Sequence, residues 1–204
     1  MEESKRINSR RDQIIEVAQK LFGMYGIEKV SVHEIAAELH LSKASIYYYF
    51  SDKEHLFKAV LEKEQAEFIS KISGKIMKMN DPEKMLFEYV GMRLQYFSRL
   101  MNLSRLRLEV YANIKPVFRS AGKVFKEKEK EILIQIFTRG IMNKVWKIND
   151  PDFTALLFLD ILRGLRMEAI NDRHTIVLED VEFERLLNRI TTFTRIFSEG
   201  LKIK

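Results

Sequence analysis

The chain has 204 residues with no cysteine, eight glycines and three prolines, and its formal net charge at pH 7 is +6. This length suffices for one or two domains with a sizeable hydrophobic core. The lack of cysteine excludes disulfides, thiolate metal sites and thiol catalysis, and it favours a reducing compartment. The polar N-terminus has no apolar signal segment, and the most apolar stretch, 153–162, is too short to span a membrane. We therefore expect a cytoplasmic protein without membrane contacts.

Hydrophobic periodicity predicts an all-α fold of about nine helices, because no run of alternating residues is bounded by turn signals. The first helix is expected over 9–25, with an apolar stripe that runs from Ile14 to Tyr25. The later helices are expected over 31–39, 42–50, 51–80, 82–102, 104–113, 116–143, 151–171 and 179–200. All three prolines, Pro82, Pro116 and Pro151, are expected at helix starts, where proline is favoured. Asp81 and Asp150 precede two of them as predicted N-caps.

The stretch from Ser31 to Phe50 predicts two short helices joined by a tight turn. Ser31 lies three residues before Glu34, which is the spacing of a capping box, and Val30 and Ile35 have the spacing of a hydrophobic staple. Ser42 is a suitable N-cap for the second helix, whose buried face would carry Ile46 and Phe50. A helix, a short turn and a second helix form the layout of a helix-turn-helix DNA-binding motif.

The outward face of the second helix would carry Lys43, Ala44, Tyr47 and Tyr48. Lysine can reach a guanine edge or a phosphate, and tyrosine hydroxyls can bond phosphate oxygens. Residues 1–60 contain nine Lys or Arg and nine Asp or Glu, so the argument from charge depends on placement rather than on the net charge. The basic residues that matter fall into two groups. An N-terminal basic arm before the first helix consists of Lys5, Arg6, Arg10 and Arg11, and Lys43, Lys53 and Lys58 follow the turn.

The segment from Arg11 to Val60 closely resembles the N-terminal domain of the TetR family of bacterial transcriptional regulators. The matching features are Leu21–Phe22 and Gly26–Ile27, Ile35–Ala37, the Leu-Ser-Lys turn, the Tyr-Tyr-x-Phe sequence and Asp52–Glu54. The resemblance covers about the first quarter of the chain densely and the remainder by its helix pattern. The family often has glycine in the turn where this chain has His40, and histidine is among the residues that tolerate a left-handed backbone.

The motif and the resemblance together predict the residues that contact DNA. The recognition helix and the helix starts would provide Ser31, Ser42, Lys43, Ala44, Ser45, Tyr47, Tyr48, Tyr49 and Lys53. Tyr49 is included because the family often places a phosphate-contacting histidine there. Ser31 and Lys53 would contact phosphate through a side chain and a backbone amide.

The last two predicted helices are apolar on more than one face, which favours a dimer interface over a monomer with a thick core. The expected interface residues are Phe153, Leu157, Ile161, Gly164, Leu165, Phe183, Leu187, Ile190 and Phe197. Gly164 costs about 1 kcal/mol in a helix relative to alanine, and a close approach of another backbone would explain it. The resemblance implies a homodimer built on a four-helix bundle, which binds a double-stranded DNA operator.

The middle of the chain is rich in methionine and aromatic residues, which at helical spacing are typical of a plain core. The resemblance favours instead an apolar cavity for a small-molecule effector. The candidate pocket residues are Met85, Tyr89, Met92, Tyr96, Tyr111, Phe125, Phe137 and Trp146, with Arg93, Arg107 and Arg166 as candidate anchors for an anionic group. We expect a helix-turn-helix domain at 1–55 and a helical ligand-binding and dimerisation domain at 56–204.

Two other functional classes are compatible with parts of the sequence, whereas an enzyme is not expected. The chain has no Gly-rich phosphate loop and no HExxH motif, and three of its four histidines lie in the expected DNA-binding domain, so we expect neither an enzyme nor a bound metal or cofactor. A DNA-binding architectural or division-linked factor without an inducer remains an alternative to a ligand-released repressor. A protein-interaction module that uses the tyrosine face is a third interpretation.

Overall fold

The computed structural model describes residues 2–104, 108–171 and 180–203, and the side chains of 9–98, 116–169 and 181–203. Within these ranges the chain forms eight helices: α1 Glu2–Tyr25, α2 Val32–Glu38, α3 Lys43–Tyr49, α4 Lys53–Ile76, α5 Pro82–Ser104, α6 Leu108–Met142, α7 Pro151–Asn171 and α8 Asp180–Leu201. The one β feature in the described ranges is an isolated bridge between Trp146 and Lys202. The predicted all-α class is confirmed.

Several helices start where the sequence predicts. The carboxylate of Asp81 accepts bonds from the backbone N–H groups of Glu83 and Lys84, at 3.0 and 3.1 Å. The carboxylate of Asp150 accepts from the N–H of Phe153 at 3.0 Å. These bonds satisfy amides that have no partner inside the helix, so α5 and α7 begin at the residues after the two aspartates.

The predicted start of α4 is displaced by one residue. The N-cap is Asp52 rather than Ser51, since its side chain accepts from the N–H of His55 at 2.8 Å. A carboxylate near the positive end of the helix dipole is a stronger acceptor than a hydroxyl. The helix is therefore capped by Asp52 and begins at Lys53.

The prediction that Pro116 begins a new helix is also wrong, and it explains why the described chain has eight helices instead of about nine. Pro116 lies inside α6, which replaces the two helices expected over 104–113 and 116–143. Proline removes one hydrogen bond from the helix and crowds the preceding turn. The residues that follow it nevertheless hold the helix in place, because Val117, Phe118 and Ala121 pack against the N-terminal core.

The buried side chains form two clusters. The first contains residues of α1 to α3, the N-terminal half of α4 as far as Leu61, and Ala121 of α6. The second extends from Phe68 of α4 to Ile190 of α8. The change from one cluster to the other falls within α4, beyond the domain boundary expected at residues 55–56, so the division into domains remains a proposal.

The stripe expected on α1 is largely buried. Ile14, Ala18 and Phe22 have no exposed side-chain surface, but Tyr25 is 52% exposed. Tyr25 is the last residue of α1, and Gly26 turns the chain with a φ of 83°. The buried part of the stripe therefore ends at Phe22, about one turn before the last residue of the helix. None of the described helices is long and apolar enough to cross a membrane.

The connection between α6 and α7 depends on the close packing of Gly140 and Trp146. The carbonyl of Gly140 accepts from the N–H groups of Val145 and Trp146, at 2.9 and 3.2 Å. The Trp146 side chain is 1% exposed, and its ring meets Phe137 edge to face at a centroid distance of 5.8 Å. A β-carbon added at Gly140 would lie 2.0 Å from Cε3 of the indole. Glycine is therefore required at position 140.

We expect Gly140→Ala to lower the free energy of unfolding by about 1–3 kcal/mol, because the indole is confined and cannot move away from an added methyl group. Urea unfolding followed by circular dichroism measures the change. Gly122→Ala on the same helix is the control, since nothing lies within 4 Å of an added β-carbon there. It should be neutral or stabilising by up to about 1 kcal/mol. Equal effects of the two substitutions would contradict the steric argument.

Candidate nucleic-acid interface

The start of α2 is fixed by a complete capping box. The backbone N–H of Ser31 donates to Oε2 of Glu34 at 2.7 Å, and the N–H of Glu34 donates to Oγ of Ser31 at 3.2 Å. The N–H donor of Ser31 holds the pKa of Glu34 below its ordinary value of 4.5. Val30 and Ile35 are both buried, as the staple spacing predicts. The box and the staple together set the direction in which α2 leaves the preceding loop.

The turn between α2 and α3 is tight and uses a left-handed residue. His40 has a φ of 54°, in the left-handed region that glycine adopts most readily and that histidine tolerates. The N–H of His40 donates to the carbonyl of Ala37 at 3.0 Å, and the N–H of Leu41 donates to the carbonyl of Ala36 at 2.8 Å. These bonds close the end of α2, and α3 follows after Ser42.

The second helix, α3, buries one face and exposes the other. Ser42 caps it by accepting from the N–H of Ser45 at 3.1 Å, and the two hydroxyls are 2.8 Å apart. Ile46 and Phe50 point into the first core, at 1% and 5% exposure. The helix is thus fixed on its apolar side, and its other face is free to enter a groove.

The exposed face of α3 carries the side chains that the sequence predicts there. Lys43 and Ala44 are exposed, Tyr47 is 42% exposed and Tyr48 is 74% exposed. The Lys43 ammonium lies 5.6 Å from the centroid of the Tyr47 ring, and Tyr48 meets Tyr49 edge to face. This face therefore offers one cation, small residues and phenol hydroxyls, which suit the base edges and phosphates of a DNA groove.

Two comparisons with known proteins identify this arrangement. Residues 14–60 match the family model described as bacterial regulatory proteins, tetR family. The crystal structure of a transcriptional regulator from Cytophaga hutchinsonii is 34% identical, with a TM-score of 0.85, over 94% of this chain and 98% of that one. The chain belongs to the TetR family. It is a DNA-binding transcriptional regulator rather than an enzyme.

Curated TetR-family proteins include a relative that is similar over nearly the whole length. The transcriptional regulator QacR of Staphylococcus aureus is 26% identical over 94% of this chain and 97% of its own. The nucleoid occlusion factor SlmA of Mannheimia succiniciproducens is 28% identical, but the match covers only 43% of this chain and 44% of that protein. The full-length similarity is therefore to a transcriptional regulator.

Lys53 lies at the N-terminus of α4, but its side chain turns inward. The ammonium donates to the carbonyls of Ile27 and Val30, at 2.9 and 3.2 Å. It therefore holds the loop between α1 and α2 against α4, a role that the position of Lys53 in the sequence does not predict. The side chain of Lys53 is thus engaged inside the protein. Its backbone amide lies at the first position of the helix, and a phosphate contact through that amide stays a prediction.

Among the basic residues of the predicted N-terminal arm, Arg11 lies next to the recognition helix. Its guanidinium carbon lies 5.1 Å from the centroid of the Phe50 ring, at the C-terminal end of α3. Arg10 is exposed and donates to the side chain of Gln13 at 3.0 Å. The side chains of Lys5 and Arg6 lie outside the described part of the chain. A cation next to the recognition helix adds to the positive potential that phosphates meet.

The candidate pocket residues lie in the second hydrophobic cluster. Met85, Tyr89, Phe125, Phe137 and Trp146 are buried within it, and Met92 and Tyr96 pack against it half-buried. Tyr111 lies in α6, and its side chain is outside the described part, as is Arg107. A surface depression of about 330 Å³ between Lys147 and Thr154 is lined by none of these residues. Whether the cluster opens to hold an effector stays a proposal.

The candidate anchor Arg93 already has a partner of opposite charge. It is 5% exposed, and its Nε donates to Oε1 of Glu129 at 2.6 Å. The hydroxyl of Tyr89 donates to the same oxygen at 2.7 Å. Because a buried charge is costly without a partner, this group of three residues explains Arg93 without any ligand.

The candidate dimer residues differ in exposure. Phe153 and Leu157 on α7 are 61% and 41% exposed, and Gly164 is exposed, with nothing within 4 Å of a β-carbon added there. The half-buried members are Ile161, Leu165, Phe183, Leu187 and Phe197. Ile190 is 1% exposed and lies in the core of the protomer, so in a dimer it would support the interface from behind.

The capping box should make the stability of the protein depend on pH. Because the folded pKa of Glu34 lies below 4.5, its ionised form stabilises the fold above that pH, and the contribution is lost as the pH falls through the folded pKa. Glu34→Gln should therefore be less stable than the wild type near neutral pH and converge with it in acid. Urea unfolding between pH 3 and pH 7 tests this. The exposed loop residue Glu28, changed to Gln, is the control, and a gap that persists in acid would contradict the argument.

Proposed function

We propose that the protein is a repressor that binds a palindromic operator as a homodimer and is released by a small apolar or amphipathic molecule. The observation that carries the proposal is the exposed face of α3, where Lys43, Tyr47 and Tyr48 stand out from a helix whose other side is buried. A helix of this kind, held by a short preceding helix, fits the major groove. Two such helices related by a two-fold axis would read half-sites one or more DNA turns apart, each turn about 34 Å.

The DNA contacts that we propose fall into two groups. Lys43, Ala44, Ser45 and Tyr47 would face base edges and the nearest phosphates from α3. Ser31, Ser42, Tyr48, Tyr49 and the amide of Lys53 would contact the flanking phosphates. Tyr49 is half-buried against the first core, so its ring would position its hydroxyl rather than move toward the DNA.

A second copy of the chain is the proposed partner for the exposed face of α7 and α8. The large apolar residues exposed on this pair are Phe153, Leu157, Met167, Val181 and Ile196. Their spacing on α7 places Phe153, Leu157 and Gly164 on one stripe. Exposed apolar residues that share one stripe of a helix are typical of an interaction site, and the lack of a side chain at Gly164 allows another helix to approach closely.

The proposed release mechanism follows from the placement of α4. Its N-terminal half packs in the first core and its C-terminal half in the second. An effector in the second core that prefers a shifted α4 would move the two α3 helices out of register with successive grooves. Only a difference in affinity between the two states can drive this, and a coupling of about 1–3 kcal/mol changes operator affinity about 5- to 150-fold.

We expect Lys43→Ala to weaken operator binding by about 1–3 kcal/mol and to relax specificity, provided that the ammonium reads a base. Tyr47→Phe should weaken all sequences alike, because it removes a phosphate contact. Selection from a randomised DNA pool at two salt concentrations, followed by titration of the selected sequence, measures both effects. Lys71→Ala, an exposed lysine on α4, should bind as the wild type does. Unchanged affinity in both α3 variants would exclude α3 as the recognition helix.

Dimerisation should be sensitive to small changes on α7. Gly164→Leu should leave the protomer folded, because the space around an added β-carbon is open, but it should weaken the dimer by at least about tenfold through a clash with the partner helix. Leu157→Arg should act in the same direction by placing a charge in the interface. Sedimentation equilibrium provides the dissociation constants, with Met142→Arg as the control at an exposed apolar residue at the end of α6. A wild-type monomer at micromolar concentration would refute the dimer.

A further inference from the structure

Where α1 meets α4, the carboxylate of Glu64 has one oxygen with a partner and one without. Oε1 accepts from the side-chain amide of Gln19 on α1 at 3.2 Å. Oε2 is buried and has no hydrogen-bond partner. Burial raises the pKa of Glu64 to about 7. A buried acceptor without a partner costs free energy, and the cost increases when the group is charged.

Tyr96 of α5 presents a second polar atom of this kind. Its hydroxyl is buried and has no hydrogen-bond partner. Burial, together with the charge of Glu64, raises the pKa of Tyr96, which indicates that the two side chains lie in the same electrostatic environment. The Tyr96 ring stacks on Phe68, one helical turn beyond Glu64, at a centroid distance of 4.5 Å, and it lies 5.5 Å from Phe125. Two polar atoms without partners thus adjoin a cluster of aromatic rings.

The cation that acts on the Glu64 carboxylate, Lys63, is shared with two other carboxylates. Lys63, the adjacent lysine, lies 3.3 Å from Glu16 of α1 and 3.8 Å from Glu67. Arg93 and Arg166 both lie over the ring of Phe97, at 4.6 and 3.9 Å, and the charge of Arg166 opposes the rise in the pKa of Tyr96. The end of the aromatic cluster next to Glu64 therefore favours an added positive charge.

We propose that Glu64 and Tyr96 form the charge-recognising end of the effector site, and that the effector is an amphipathic molecule with a positively charged nitrogen. The nitrogen would pair with Oε2 of Glu64, and the hydroxyl of Tyr96 would gain a polar neighbour. The apolar body would lie against Phe68 and Phe125, since aromatic faces attract cations as well as apolar groups. The inference rests on the proposed response to a small molecule and specifies its chemical class.

The same carboxylate connects this site to the DNA-binding helices. Gln19 belongs to α1, which packs with α2 and α3 in the first core. A cation that draws the carboxylate toward itself weakens the bond to Gln19, and with it the contact between α1 and α4. The effector therefore binds more tightly to the state in which α1 has moved, and this difference lowers the affinity for the operator.

The direct test uses three probes with the same apolar body and different charges: 4-phenylbutylamine, 4-phenylbutanol and 4-phenylbutyrate. Calorimetric titration of the full chain should show the amine binding at least about tenfold more tightly than the alcohol, with the carboxylate the weakest. Glu64→Gln should abolish the preference for the amine. Glu67→Gln, an exposed carboxylate one turn away, should retain it. Equal binding of amine and alcohol, no binding of the amine, or an unchanged preference in Glu64→Gln would overturn the proposal.

Two further measurements separate recognition from a structural role. Glu64→Gln should raise the melting temperature of the free protein, because a neutral amide costs less to bury than a carboxylate; a lower melting temperature would indicate that the carboxylate is structural. Gln19→Met should bind the amine at least as tightly as the wild type does, because no bond to Gln19 has to be weakened, while the amine releases less operator DNA from it. The calorimetry contains no DNA, so it is independent of operator binding. If the wild type binds operator DNA but shows no preference for the amine, only this inference is refuted. If the wild type binds the amine with the expected preference but binds no operator DNA, only the proposed function is refuted.

Discussion

The fold depends on α4 belonging to both hydrophobic cores. Leu56, Phe57 and Val60 pack in the first core, and Ile72 and Ile76 pack in the second. The helix has 24 residues and so extends over about 36 Å. Because a helix is stiff along its length, a displacement at one end is transmitted to the other. The position of the recognition helix α3 relative to the second core is therefore set largely by α4.

The N-terminus of α4 is attached to the DNA-binding unit by polar bonds that no local pattern predicts. Lys53 donates to carbonyls that lie 26 and 23 residues earlier in the chain. These carbonyls belong to a turn between helices, where a backbone acceptor needs a partner from elsewhere. The expected phosphate contact of Lys53 follows from its place at a helix start, where backbone amides and a cation favour an anion. The inward bonds follow from tertiary proximity, which residue spacing does not show.

Features decided within one or two helical turns are predictable here, and features decided by packing are not. The caps at Ser31, Ser42 and Asp150 depend on bonds to amides three residues away, so their spacing is sufficient. The prediction for Pro116 is wrong because its local preference for a helix start is outweighed by contacts with the distant first core. Ile190 has the periodicity of an interface residue, yet the rotation of α8 about its axis buries it. That angle depends on neighbouring helices and not on the sequence of α8 alone.

The two cores are joined by contacts of two kinds, and these constrain how a signal can pass between them. Between α1 and α4 the contacts are apolar in the first core, where Phe22 meets Phe57 edge to face at 5.7 Å, and polar further along α4, where Gln19 bonds to Glu64. Polar bonds of this kind exchange partners at little cost. Between α4 and α6 they are apolar, since Phe118 meets Phe57 edge to face at 5.7 Å and Ala121 is buried in the first core. Close-packed apolar contacts resist separation. The DNA-binding helices should therefore pivot with α6 as well as α4, and the polar contacts with α1 should be the ones that change.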